Sequence, residues 1–124
     1  DDGMYAAGRL AEILSTHGDS LDDSIALLPH TVNTAEIIIP VADDYKFELV
    51  EKIVHNADFS AGKVNTMDGI RVDFSNGWGL VRASNTGPAL TARFEADTKE
   101  NLDIIQDEFR AQIALIDPEI ELGF

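Results

Sequence analysis

The chain has 124 residues, a formal net charge of −14 with nine Lys and Arg against 23 Asp and Glu, and no cysteine. That length accommodates one compact domain with an appended segment. The charge argues against nucleic acid and anionic membranes as partners, and the missing thiols rule out disulfides and thiolate metal sites. No apolar run is long enough to span a bilayer as a helix. The acidity reads as a solvated surface. Its influence fades beyond roughly 8 Å at physiological salt, so a local arginine can still prevail over distant carboxylates.

In chain order, residues 3–17 are predicted as a helix, with Leu10, Ile13 and Leu14 at i, i+3, i+4 spacing. Asp1 or Asp2 would cap it, and Gly18 would end it. Ser20-Leu21-Asp22-Asp23 has the form of a capping box, opening a short helix that must finish near Leu28 because Pro29 disfavours helical geometry before it. Residues 29–34 are polar or turn-forming without a period and read as an interdomain linker. The expected division is therefore a helical segment at 1–28, the linker at 29–34 and a compact domain at 35–124.

Within that domain Ala35 to Ile39 is a β-branched run closed by Pro40, hence a strand. Asp43 is expected to cap a helix through about Asn56, with Phe47, Val50, Val54 and Ala57 on one stripe and Leu49 and Ile53 beside it. Residues 58–67 are irregular, with a short strand near Lys63 to Asn65, and Asp68-Gly69 is a hairpin signal. Ile70, Val72 and Phe74 alternate with Arg71 and Asp73, as do Leu90, Ala92, Phe94 and Ala96 with Thr91, Arg93 and Glu95. Both runs carry the period of a half-buried strand, and Trp78 to Ala83 lies between them. Thr98 would cap a last helix with Leu102, Ile105, Phe109, Ile113 and Ile116 along its buried stripe. The order β-α-β-β-β-α predicts an α+β fold: a four-stranded antiparallel sheet backed by two helices, preceded by the helical segment.

Chemistry concentrates in the strand-to-strand loop Arg82-Ala83-Ser84-Asn85-Thr86-Gly87-Pro88. A phosphate is best held by a planar guanidinium fork with short neutral donors around its remaining oxygens. Arg82 can supply the fork, and Ser84, Asn85 and Thr86 the donors, on side chains that lose little entropy. Gly87 would allow close backbone approach or a positive φ, and Pro88 would stiffen the exit. An ordinary polar turn uses the same residue types, so composition alone leaves both interpretations open.

Elsewhere the candidates are thin. His17, His30 and His55 lack metal-ligand spacing. Asp22-Asp23 and Asp43-Asp44 sit where helix N-termini attract acids, and Asp117 with Glu119 follows a helix towards solvent. Arg71 and Arg93 lie near the loop but are expected to pair with Asp73 or Glu95, and Trp78 reads as a packing residue; none of the three joins the candidate site.

Arg-x-Ser-Asn-Thr-x-Pro at 82–88 resembles the phosphate-binding loop of the α-D-phosphohexomutases, in particular the bacterial phosphomannomutase/phosphoglucomutase branch. Its flanks agree: Asp68-Gly69-Ile70-Arg71-Val72 and Trp78-Gly79-Leu80-Val81 before it, Arg93-Phe94-Glu95-Ala96-Asp97 after it. Phosphoglucosamine mutases differ here, with Gly in place of Asn85 and Glu in place of Gly87. The resemblance implies a C-terminal, TATA-box-binding-protein-like domain, preceded by the end of the third domain at Asp2 to Leu10. It implies that the chain is the C-terminal fragment of a longer cytoplasmic enzyme, an expectation also drawn from its start at Asp1 without methionine. That enzyme would interconvert hexose 6-phosphate and hexose 1-phosphate through a bisphosphorylated intermediate, using a phosphoserine and Mg²⁺ held by residues outside this chain. Arg82, Ser84, Asn85 and Thr86 would then bind the phosphosugar substrate. The fragment itself would bind no metal and hold no catalytic residue. Its partners would be the other domains of the same polypeptide, not nucleic acid or membrane. The alternative is a free-standing, non-enzymatic α+β ligand-binding or protein-interaction domain whose loop is only a turn.

Overall fold

A computed structural model describes residues 2–18 and 20–124. It separates into two compact units, residues 1–30 and 31–124. The first holds helices α1 (Gly3–His17) and α2 (Leu21–Ala26). Asp2 caps α1 by accepting from the Tyr5 N–H at 2.9 Å, and Gly18 ends it with φ 74°. Asp1, the other predicted cap, lies outside the described residues. Ser20 caps α2 as predicted, accepting from the Asp23 N–H at 3.1 Å, and the reciprocal contact of the box is made by its hydroxyl, which donates to the Asp23 carboxylate at 2.6 Å. α1 buries none of its described residues, and its apolar Leu10 and Ile13 are both exposed.

The second unit is a two-layer α+β sandwich. Its elements are β1 (Val32–Asn33), β2 (Ile37–Pro40), α3 (Lys46–Asn56), β3 (Lys63–Asn65), β4 (Ile70–Phe74), β5 (Gly77–Ala83), β6 (Ala89–Ala96) and α4 (Lys99–Ile116). All pairings are antiparallel, in the order β1-β6-β5-β4-β3, with β2 also on β6. Four of these strands are the predicted four. β1 and β3 are short additions at the two edges, β3 where a short strand was expected. Residues 31–34, assigned from sequence to the linker, belong to this unit: Val32 stands opposite Ala96, and the Thr34 N–H donates to the Phe94 carbonyl at 3.0 Å. Asn33 faces Glu95 while Ile37 faces Ala92, so four steps along the edge match three along β6. The extra residue is a β-bulge.

The buried face of the sheet presents Ile70 and Val72, Val81, and Leu90, Ala92, Phe94 and Ala96. α4 packs on it through Leu102, Ile105, Phe109 and Ile113, as its period predicts. Thr98 caps that helix, accepting from the Asn101 N–H at 3.2 Å. α3 departs from expectation in two ways. Asp43 is not its cap: the helix starts at Lys46 without a side-chain cap, and the Asp43 carboxylate binds the Lys46 ammonium at 2.7 Å. Its buried residues are Lys46, Leu49 and Ile53, whereas Phe47, placed on the apolar stripe from sequence, is 56% exposed. Positions 46, 49 and 53 form one face. A lysine occupies its first place, so counting only apolar residues rotates the stripe towards Phe47.

Candidate functional site

The sheet face opposite the helices carries Arg71 on β4, Leu80 and Arg82 on β5, and Thr91 and Arg93 on β6. Register sets their spacing: Arg71, Leu80 and Arg93 form one cross-strand row, and Arg82 stands opposite Thr91. Three of the chain's nine basic residues thus share one face of an acidic protein.

Each arginine is held differently. Arg71 donates through Nε and Nη2 to Asp73 Oδ1 at 3.0 and 2.7 Å, and its guanidinium lies 4.1 Å from the centroid of the Trp78 ring. Pairing and stacking together fix it in place, as expected for a structural arginine. Arg93 does not pair with Glu95. Among the described residues its one side-chain hydrogen bond is a long 3.4 Å one to the Thr34 carbonyl, and no carboxylate lies within 4.0 Å of it. Arg82 donates through Nη1 to Asp68 Oδ2 at 2.9 Å. This ion pair is solvent-facing, with the side chains 40% and 65% exposed, and it uses one of the guanidinium's three nitrogens. The β3–β4 turn brings Asp68 there. Gly69 has φ 76°, and a Cβ on it would come within 2.2 Å of the Val81 carbonyl oxygen. Only glycine lets this turn close against β5.

Beyond Arg82 the chain leaves β5 into the predicted loop. The Ser84 N–H donates to the Ala89 carbonyl at 2.9 Å, and the Ala89 N–H to the Gly87 carbonyl at 2.9 Å. The Thr86 N–H donates to Ser84 Oγ at 3.3 Å, a hydroxyl-bridged turn. Ser84 is half-buried, whereas Asn85 and Thr86 are exposed with their side chains open to solvent. Of the two roles open to Gly87 it does not take the positive φ, and an added Cβ would meet nothing within 4 Å. From beneath, the Val41 N–H donates to the Pro88 carbonyl at 3.1 Å and Lys46 Nζ to the Gly87 carbonyl at 3.0 Å.

The four predicted residues are brought to one end of β5 but do not line one cavity. Arg82 opens on a concavity of about 340 Å³ shared with Asp68, Arg71, Leu80, Thr91 and Arg93. Ser84 and Thr86 line a second one of about 380 Å³, with Ile38, Gly87 and Pro88. Thr91 and Glu36 border both, and Asn85 borders neither. Sequence reasoning missed Asp68 and Lys46. Asp68 is 14 residues from Arg82 and meets it only through the β4–β5 register. Among the described residues no three His, Asp or Glu side chains cluster as a metal ion would require. His17 and His55 instead face main-chain carbonyls of their own helices at 3.0 and 2.8 Å.

An antiparallel α+β sandwich with an arginine-lipped polar loop on its open face is therefore the class of domain. Residues 36–112 match the family description "Phosphoglucomutase/phosphomannomutase, C-terminal domain". The chain belongs to that family. It is similar to a phosphomannomutase/phosphoglucomutase of Pseudomonas putida, 47% identical over 124 residues, covering 100% of this chain and 27% of that protein. A phosphoglucomutase of Neisseria meningitidis is 42% identical over 115 residues, covering 91% of this chain and 25% of that protein. In structure it resembles a phosphoglucomutase/phosphomannomutase family protein from Burkholderia thailandensis. That match has a TM-score of 0.85 and 37% identity, and covers 100% of this chain and 26% of that one. The chain thus spans about a quarter of the length of the curated relatives it matches, and the free-standing interaction domain is not favoured.

Proposed function

We propose that this domain clamps the phosphate group of a hexose phosphate within a phosphohexomutase that interconverts hexose 6-phosphate and hexose 1-phosphate. The observation that carries the proposal is the loop at 82–88. There a solvent-facing guanidinium with two nitrogens uncommitted precedes three short polar side chains on a turn tied down from below. Such a group of donors suits the phosphate that is not being transferred. Binding energy gained there holds the far end of the sugar in line for reaction elsewhere. A bisphosphorylated intermediate must turn end over end between two transfers, so the clamp must take a phosphate on either C1 or C6. Donors that contact phosphate alone meet that demand.

Residues 1–28 are then the end of a preceding domain, and the stretch from Pro29 is the connection into this one. The phosphoserine, the sugar-reading residues and the ligands of the metal, Mg²⁺ by resemblance, belong to the rest of the polypeptide, and the setting is the cytoplasm. No described helix is long and apolar enough to cross a membrane.

The test is an NMR titration of the 124-residue chain with glucose 1-phosphate and glucose 6-phosphate. Both should shift residues 82–88, with inorganic phosphate competing there. Affinity should be millimolar at best, about −4 kcal/mol, and should fall with salt. The isolated chain should show no mutase turnover. Shifts centred on α1, or ligand binding without phosphate competition, would refute the clamp.

Asp68 gives a second check. Its carboxylate competes with phosphate for Arg82, and an exposed pair of this kind contributes about 0.2–1 kcal/mol. Asp68→Asn is therefore expected to tighten inorganic phosphate binding by about 1.4- to fivefold. Unchanged or weakened binding in the same titration would mean that Asp68 orients Arg82 instead of holding it back.

A further inference from the structure

Lys46 is the one buried charged residue among those described, with its side chain 5% exposed. Lysine is almost never buried unless paired, and packing alone does not require a cation at this place. The rest of the buried face of α3 is Leu49 and Ile53. Its ammonium has two oxygen partners: Asp43 Oδ1 at 2.7 Å, three residues back, and the carbonyl of Gly87 at 3.0 Å, 41 residues on. It also lies 5.0 Å from the Phe47 ring centroid. Gly87 is half-buried but has no side chain to anchor this end of the loop, and a Cβ placed on it would meet nothing within 4 Å. The Ala89 N–H at the start of β6 meets the Gly87 carbonyl from next along the chain, and the two hydrogen bonds that reach Gly87 and Pro88 from elsewhere in the fold both come from the β2–α3 segment, from Lys46 and the Val41 N–H.

We infer that Lys46 is a positioning residue for the anion-binding loop: its buried ammonium fixes the Gly87 carbonyl from below and so sets how Ser84, Asn85 and Thr86 present their donors. The inference rests on the phosphate-clamp proposal and deepens it. A charge-assisted bond to a main-chain oxygen resists displacement by water because the ammonium is already out of solvent. The loop can then stay shaped before its ligand arrives, which reduces the ordering cost of binding.

The test compares the wild-type chain with Lys46→Met, which keeps the stem, Lys46→Arg, which keeps the cation, and Asp43→Asn. Lys46→Met should move the amide signals of residues 84–87 and speed their hydrogen exchange in phosphate-free buffer, while β6 and α4 signals stay in place. It should also weaken inorganic phosphate binding by roughly five- to tenfold, less than the full worth of one such bond because the Ala89 and Val41 amides still hold the loop. Lys46→Arg should restore the affinity to within about threefold of wild type. If Lys46→Met does not fold, Asp43→Asn decides. Its site is exposed, so the fold should hold, and a loosened ammonium should weaken phosphate about two- to threefold. Wild-type loop exchange in Lys46→Met, or wild-type affinity in whichever variant decides, overturns the inference. Lost affinity with unchanged exchange would mean bare charge attraction, and also overturns it. If wild-type protein gives no phosphate shifts at 82–88, the clamp itself fails and this inference with it.

Discussion

Arg82→Ala is expected to lower kcat/KM of the proposed full-length mutase by about 10- to 100-fold, while leaving the fold intact. A hydrogen bond to a charged group contributes roughly 1.5–3 kcal/mol, and a two-point guanidinium–phosphate contact lies towards the upper end. At about 1.4 kcal/mol per decade this gives one to two decades in rate. The stability side follows from the Asp68 pair. Both partners face solvent, so their loss should cost no more than about 1 kcal/mol in a denaturant melt. Arg82→Lys should recover only part of the rate, because a point charge cannot reproduce the fork. Wild-type kinetics in Arg82→Ala, or a large fall in melting temperature, would show that the arginine serves the fold and not the ligand.

Phe109→Ala should do the reverse and cost roughly 3–5 kcal/mol of stability, enough to threaten a domain of this size. Phe109 is fully buried on α4, 4.6 Å from the Phe59 ring centroid and 5.3 Å edge-on from that of Phe94. It also fills the space left by Gly79, where a Cβ would come within 2.5 Å of its ring. Truncation therefore opens a cavity bounded by a bare strand backbone and two rigid rings, none of which can collapse into it. Ser84→Ala and Thr86→Ala, on the loop, should barely move the same melt. If the three variants ranked otherwise by urea midpoint, the assignment of core and loop would be wrong.

These contrasts trace what could be read from residues alone. β4 and β6 announced themselves because each buries one face, and a two-residue alternation has no other simple cause. α4 was legible for the same reason at a different period, with Thr98 marking its start. β1 was not. Val32 and Asn33 carry no pattern, and their pairing follows from the open edge of β6. Lys46 was invisible because a lysine on the buried face of a helix looks, in sequence, like a lysine on the exposed one. The loop was placed correctly as a strand-to-strand connection, and its residue types suggested anion chemistry. That Arg82 opens on one concavity, Ser84 and Thr86 on another and Asn85 on neither was not legible, because the Arg82–Asp68 pair depends on the β4–β5 register.

The bulge opposite β6 has a consequence for association between chains. A sheet invites intermolecular strand addition when an edge offers a long, flat row of unsatisfied amides and carbonyls. Here the edge beside β6 is broken into runs of two and four residues, the longer ending in Pro40, which has no N–H to offer. The opposite edge is β3, three residues beginning with Lys63. Neither side is a serviceable template for a foreign strand, so the domain leaves its open face exposed without also presenting a nucleus for aggregation.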